Sequence, residues 1–474
     1  MIVRRLLKPT SCLPALALVL CGALPVGLGG CDGHCTDAGC EDSFPRTVLA
    51  VHGPAVAGTV DVWEDVSARV EGARVEGAGW CVGGVGGSLV VGQPETDAVV
   101  VIEDPLGEAG VAVRWTGHQE EAGHALAVGD VDGDGSWDLW VGSPGADLER
   151  GAVSLIRDAA ASGSGALEGA GLRVVGRLPG ERLGSVVVRC GDLTGDGLDD
   201  WLMSAPRHSG PESLSGGVLL VRSERLAGAS GEVEPDELGP TWWGDQVGAA
   251  AGLAMSCTHD LDGDGVVDAA IGAPWRGEDD AGGVFLLSGA AIRAGEMSSA
   301  VLDEVADSIL LGPYEDGTFG SALVTGDLDG DGRVELVVGA PGYAHGRGRV
   351  LVFRGQDLEA GFMEHRMTLS APRDREPGDH VGSALSIADL DGDGRVDLLV
   401  GAPDWVADGA FDAGRLSVWR GRSVEEWGLT YQLDSDEDLA IVGTRPFQRV
   451  GRAMLAVDLD GDGASEVVLP TRAR

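Results

Sequence analysis

Six segments of this chain place carboxylates at the first, third, fifth and ninth positions of a glycine-containing stretch: Asp130, Asp132, Asp134 and Asp138; Asp260, Asp262, Asp264 and Asp268; Asp327, Asp329, Asp331 and Glu335; Asp389, Asp391, Asp393 and Asp397; Asp458, Asp460, Asp462 and Glu466; and, with one hydroxyl in place of a carboxylate, Asp192, Thr194, Asp196 and Asp200. Alternate side chains of a tight turn converge on one centre, and glycine permits the bend. Clustered hard oxygens suit Ca2+, which takes roughly six to eight oxygen ligands at ~2.3–2.6 Å. The seventh position is Ser136, Leu198, Val266, Arg333, Arg395 or Ala464, a set with no shared side-chain chemistry, so its expected contribution is a backbone carbonyl. Up to six calcium ions are expected, the weakest at the Thr194 loop. An EF-hand needs a bidentate Glu at position twelve. Here that position holds Val141, Met203, Ile271, Val338, Val400 and Leu469, which reads as strand and excludes helix-loop-helix. Solvated acidic turns without metal are the competing reading, and six repetitions at fixed spacing weigh against it.

No other chemistry is patterned. The chain has no Gly-x-Ser-x-Gly elbow, His-Glu-x-x-His helix or phosphate-cradling Gly-Lys loop. His124 and His259 read as turn or packing residues. Trp242, Trp243, Trp275 and Trp405 stand near Gly or Pro outside the repeat, where an exposed ring stacks on a sugar or anchors a protein, and a buried one fills a gap between sheets. Trp137 and Trp140 flank a loop strand and read as packing. With 76 acids against 34 bases the net charge is −42, a field that repels nucleic acid.

The acidic loops begin at intervals of 62, 68, 67, 62 and 69 residues, so the chain is a repeat. Short Val- and Leu-rich runs flank each loop and end at Gly or Pro, which makes the loop a turn between two strands. Gly at 78 and aromatics at 5% also suit short strands and tight turns. Four strands fit each unit, the fourth at segments such as 172–176 and 366–369. A seventh core, 79–102, carries SLVVGQP where the next unit has DLWVGSP, without an acidic loop. The last core ends near Leu469 without outer strands, and 58–63 (GTVDVW) has the pattern of the third strands 348–353 and 414–419. The expectation is an all-β, seven-bladed β-propeller over 58–474, with four-stranded blades, closed by that N-terminal strand because closure removes exposed edges.

The string from Phe319-Gly320-Ser321 to Gly339-Ala340-Pro341 resembles the FG-GAP repeat of integrin alpha-subunit propellers. The resemblance implies seven blades, calcium in the hairpin loops of one face and binding on the opposite face or rim. Elsewhere the Phe is Leu183, Val247, Val381 or Val450, the motif is Gly123-His124 in one unit, and two Gly-Ala-Pro motifs read Gly142-Ser143-Pro144 and Ser204-Ala205-Pro206. There is no Arg-Gly-Asp.

Arg4, Arg5 and Lys8 precede an apolar run over 13–28, the order of a secretory signal, so residues 1–30 are expected to be cleaved. Leu28-Gly29-Gly30-Cys31 resembles the lipobox of bacterial lipoproteins, which implies lipidation at Cys31, a Cys-containing linker over 31–57 and a place at the outer membrane or cell surface. Plain secretion is the alternative. Export permits disulfides; Cys35 with Cys40 is the expected pair, a zinc site with His34 is the rival reading, and Cys81, Cys190 and Cys257 are left open. The expected function is a calcium-stabilised, monomeric adhesion or scaffold propeller, with a surface protein or glycan as partner, and not an enzyme. A lectin is the alternative, and a propeller polysaccharide lyase or glycosidase a more distant one.

Overall fold

The computed structural model describes residues 88–103, 110–159, 163–169, 171–355, 365, 367–372, 377–407, 409–423, 427–459 and 461–472, with the backbone of strands at 17–20, 46–52, 58–61 and 82–85. Among the described residues the chain is all-β apart from single helical turns, and the strands form seven sheets, numbered I to VII by their edge strands Val82–Val85, Ala125–Gly129, Val187–Gly191, Ala254–Ser256, Ala322–Gly326, Ala384–Ala388 and Leu455–Val457. Sheet V is representative: Ala322–Gly326, Glu335–Ala340, Arg349–Arg354 and Met367–Ser370 run antiparallel in succession. The expected fourth strands occur at Leu172–Val175 and Met367–Ser370. Sheet I has Val82–Val85, Ser88–Gln93, Ala98–Glu103 and Gly110–Thr116.

The sequence reading missed a fifth, parallel strand. Thr430–Gln432, from the connection between the third and fourth strands of sheet VI, pairs beside Met367–Ser370, and Gly231–Val233 pairs in the same way beside Leu172–Val175. This habit corrects the assignment of 58–63. Gly58–Asp61 pairs parallel to Leu439–Val442 in sheet VI, whereas Arg46–His52, inside the expected linker, pairs antiparallel to Glu466–Arg472 and supplies the third strand of sheet VII. The two segments look alike because both alternate small apolar residues; the partner edge decides between them. Ala17–Leu20 pairs antiparallel with Arg46–His52.

The second strand of each unit is buried on both faces, as at Glu335–Ala340, because it lies between neighbouring sheets. That explains its continuous apolar run. Trp140 of sheet II meets Trp201 of sheet III edge to face, with centroids 6.1 Å apart. The glycines of the repeat make the seams. A Cβ at Gly339 would collide with the carbonyl oxygen of Gly382 in the next sheet, and Gly142, Gly272 and Gly401 face Gly184, Gly320 and Gly451 in the same way. Each of those partner glycines has a left-handed backbone, such as φ +94 at Gly320, and beside it Phe319 N–H donates to the Ala281 carbonyl of sheet IV at 3.0 Å. The motif is thus a backbone-to-backbone lock between sheets.

Cys190 and Cys257, both buried, form a disulfide across sheets III and IV with Cα atoms 4.7 Å apart and a sequence separation of 67. Closing a loop of that size contributes about 2–4 kcal/mol. Cys190→Ser with Cys257→Ser is expected to lower the denaturation midpoint accordingly, and an unchanged midpoint contradicts the assignment.

Candidate metal centres

Each acidic loop joins the first and second strands of its sheet, so strand ends hold positions one and nine. In the loop at 130, the Asp130 carboxylate accepts N–H bonds from Gly133 and Gly135 at 2.7 and 2.9 Å. The same pair is made by Gly263 and Gly265 on Asp260, Gly330 and Gly332 on Asp327, Gly392 and Gly394 on Asp389, and Gly461 and Gly463 on Asp458. Position nine is buried and accepts the N–H of position two: Val131 donates to Asp138 at 2.8 Å, Leu261 to Asp268 at 2.7 Å, Leu328 to Glu335 at 2.9 Å, Leu390 to Asp397 at 2.9 Å and Leu459 to Glu466 at 2.6 Å. Position two is Val or Leu in all six loops and buried in all six. It anchors the turn in the core, a regularity visible in the sequence and absent from the ligand pattern.

Carboxylate oxygens of positions one, three and nine lie within 4.8 Å of one another in four loops: Asp130, Asp132 and Asp138; Asp260, Asp262 and Asp268; Asp327, Asp329 and Glu335; Asp389, Asp391 and Asp397. Position five stands apart from these triads. Asp134, Asp196, Asp264, Asp331, Asp393 and Asp462 each accept the N–H of position seven, from Ser136, Leu198, Val266, Arg333, Arg395 and Ala464 respectively, at 2.7–2.9 Å. Asp460 lies outside the described residues, and the loop at 192 forms no such triad.

Burial disfavours charge at position nine. It pushes Asp268 and Asp397 up to about 6, and Glu335, with Asp329 beside it, up to about 8. Asp138 and Asp200 are raised for the same reason. Asp130 moves the other way: partial burial is outweighed by the N–H bonds from Gly135 and Gly133. Glu335 carries the test of fit. One of its oxygens accepts from Leu328, while Oε1 is buried and meets no hydrogen-bond donor. A buried carboxylate lacking a donor, among other carboxylates, costs free energy that a cation with oxygen preference removes. The residues therefore fit a hard cation.

The tryptophans divide. Trp242 and Trp405 are buried, Trp405 under the Arg415 guanidinium at 4.8 Å, so the rim assignment is corrected for both. They fill seams, as large aromatics do between sheets. Trp243 is half-buried and stacks on His208 with centroids 6.5 Å apart. Trp275 is 44% exposed. His259 Nδ1 lies 2.8 and 3.0 Å from the Thr258 and Thr325 hydroxyls, a packing role. Cys31, Cys35, Cys40 and Cys81 lie outside the described residues.

Repeated four-stranded sheets with locked seams and acidic hairpin loops define a β-propeller protein with cation-binding potential. Two segments, residues 319–353 and 381–419, match the family model described as FG-GAP repeat. The chain is similar to integrin alpha-PS2 of Drosophila melanogaster, 29% identical over 249 residues that cover 50% of this chain and 16% of that protein. It is also similar to phosphatidylinositol-glycan-specific phospholipase D of Rattus norvegicus, 35% identical over 164 residues, 33% of this chain and 18% of that protein. The chain thus matches less than a fifth of the length of either relative. Among solved structures, the Dos1 propeller covers 90% of both chains with 11% identity and a TM-score of 0.45.

Proposed function

We propose that this protein is an exported binding propeller whose seven blades close into a ring and whose acidic loops hold calcium. The carboxylate triad, repeated in four loops with a buried position-nine acid at its base, carries the reading. In it, positions one, three and nine and the position-seven carbonyl hold the ion, and calcium supplies only charge neutralisation and cross-linking of the turn. Closure is supported by neighbourhood: the first strand of sheet VII, Leu455–Val457, lies beside Val82–Val85 of sheet I. A ring leaves no inner edge for another chain to pair with.

Similarity to integrin alpha chains supports a binding or scaffold role, with a surface protein or glycan as the partner. The Leu28–Cys31 segment supports a lipid anchor at a bacterial surface, and the Cys190–Cys257 disulfide supports an oxidising compartment. Beads bearing the chain are expected to retain a component of the producing cell's surface in calcium and to release it in chelator. Retention that ignores both calcium and the Asp327→Asn substitution contradicts the proposal.

A further inference from the structure

We propose that the loop opening at Asp192 binds no calcium, and that Arg293 together with the Cys190–Cys257 disulfide holds the seam between sheets III and IV in its place. The proposal rests on calcium binding at the other loops. Four departures at this loop support it.

First, Thr194 occupies position three, so the loop lacks the carboxylate that completes the one-three-nine triad in the loops at 130, 260, 327 and 389. Second, the turn is wound differently. The position-nine acid Asp200 accepts the N–H of Thr194 at 2.7 Å, one residue later than in the five other loops. Leu193 N–H instead bonds back to the Gly191 carbonyl at 2.9 Å. A bulge interrupts the pairing between Arg189 and Gly191, and Gly191 has φ +62. Such a bulge re-aims the residues that follow it. Third, Gly195 bonds to Asp192, and the companion bond that the sixth-position glycine makes to the first carboxylate in the five other loops is not made by Gly197.

Fourth, an arginine satisfies backbone carbonyls of this turn, whereas Arg157 and Arg420 approach two of the other loops through the carboxylates Asp132 and Asp391. Arg293, from the connection after the third strand of sheet IV, donates from Nη2 to the Asp192 carbonyl at 2.6 Å and from Nε to the Leu193 carbonyl at 3.4 Å. The guanidinium also packs against Gly195. A planar, permanently charged fork that satisfies loop carbonyls does by hydrogen bonding what an ion does by coordination. Behind it, Ile292 and Met297 pack with Leu193, Cys190 and Cys257 in one buried cluster. The disulfide thus joins the strand ends that enter this loop and the next, at Asp260. This seam is closed by a side chain and a covalent bond, without an exchangeable ion.

Two measurements on the full chain test this. Equilibrium dialysis against calcium is expected to show one fewer bound ion in Asp260→Asn than in wild type, and an unchanged number in Asp192→Asn. Loss of an ion in Asp192→Asn overturns the proposal. If Asp260→Asn also leaves the count unchanged, the calcium reading fails at that loop, and the second measurement still decides the role of Arg293. In hydrogen–deuterium exchange, uptake by residues 192–200 is expected to be the same with and without chelator in wild type, and several-fold faster in Arg293→Ala. Exchange in Arg293→Ala indistinguishable from wild type overturns the proposal, as does chelator-sensitive exchange at 192–200 in wild type.

Discussion

Removing calcium from the folded chain at neutral pH is expected to lower its melting temperature by about 8 °C. A site filled at ten times its dissociation constant adds about 1.4 kcal/mol, so five independent sites add about 7 kcal/mol. Unfolding entropy near 2.1 cal/mol/K per residue gives a propeller of this size roughly 0.8 kcal/mol per degree, which converts that loss into the shift. The origin is local. Without an ion, Glu335 and Asp329 face each other in a buried site, and the Glu335 carboxyl sits at about 8. With one, both are ionised and paired to a divalent centre. Magnesium, which demands tighter octahedral geometry and keeps its water, is expected to restore little of the loss. A melting temperature insensitive to chelation, with metal removal verified, contradicts a structural role for the loops.

Gly348→Val is expected to destabilise the protein by about 4 kcal/mol, the largest effect of a single residue. Gly348 has φ +78, and a Cβ there would collide with both the N and the O of Val381 in the next sheet, to which Gly348 forms an isolated parallel bridge. A left-handed backbone costs a branched residue about 1–2 kcal/mol, and overpacking a tight contact adds about 1–3 kcal/mol. Gly180, at φ +88 with open space around it, separates the two terms: Gly180→Val carries only the backbone cost. Equal destabilisation by the two substitutions, measured by denaturant unfolding, would show that the seam contributes nothing.

Much of this was legible in the sequence because a repeat states each rule several times. The period placed the loops between the first two strands, and the uniform acid at position nine, Asp138 to Glu466, marked the buried base of each site. Tolerance at position seven goes with exposure, since the Arg333 and Arg395 side chains face solvent. What was not legible depended on contacts between units. Two alternating segments, 46–52 and 58–61, compete for the last sheets, and only the habit of a fifth parallel strand separates them. Trp242 and Trp405 stand beside loop-like residues yet face seams. The Cys190–Cys257 pair spans 67 residues, about one repeat, which sets both cysteines on neighbouring inner strands; with unit boundaries in hand that spacing was readable. Arg293 lies 101 residues from the Asp192 carbonyl it reaches, and no local pattern announces such a partner.

The most direct test of the central claim is anomalous diffraction from crystals of the full chain grown in calcium. Strong peaks are expected within the triads of Asp130, Asp260, Asp327 and Asp389 and at the Asp458 loop. Ordered loops with water or nothing at those centres, at saturating calcium, would contradict the account.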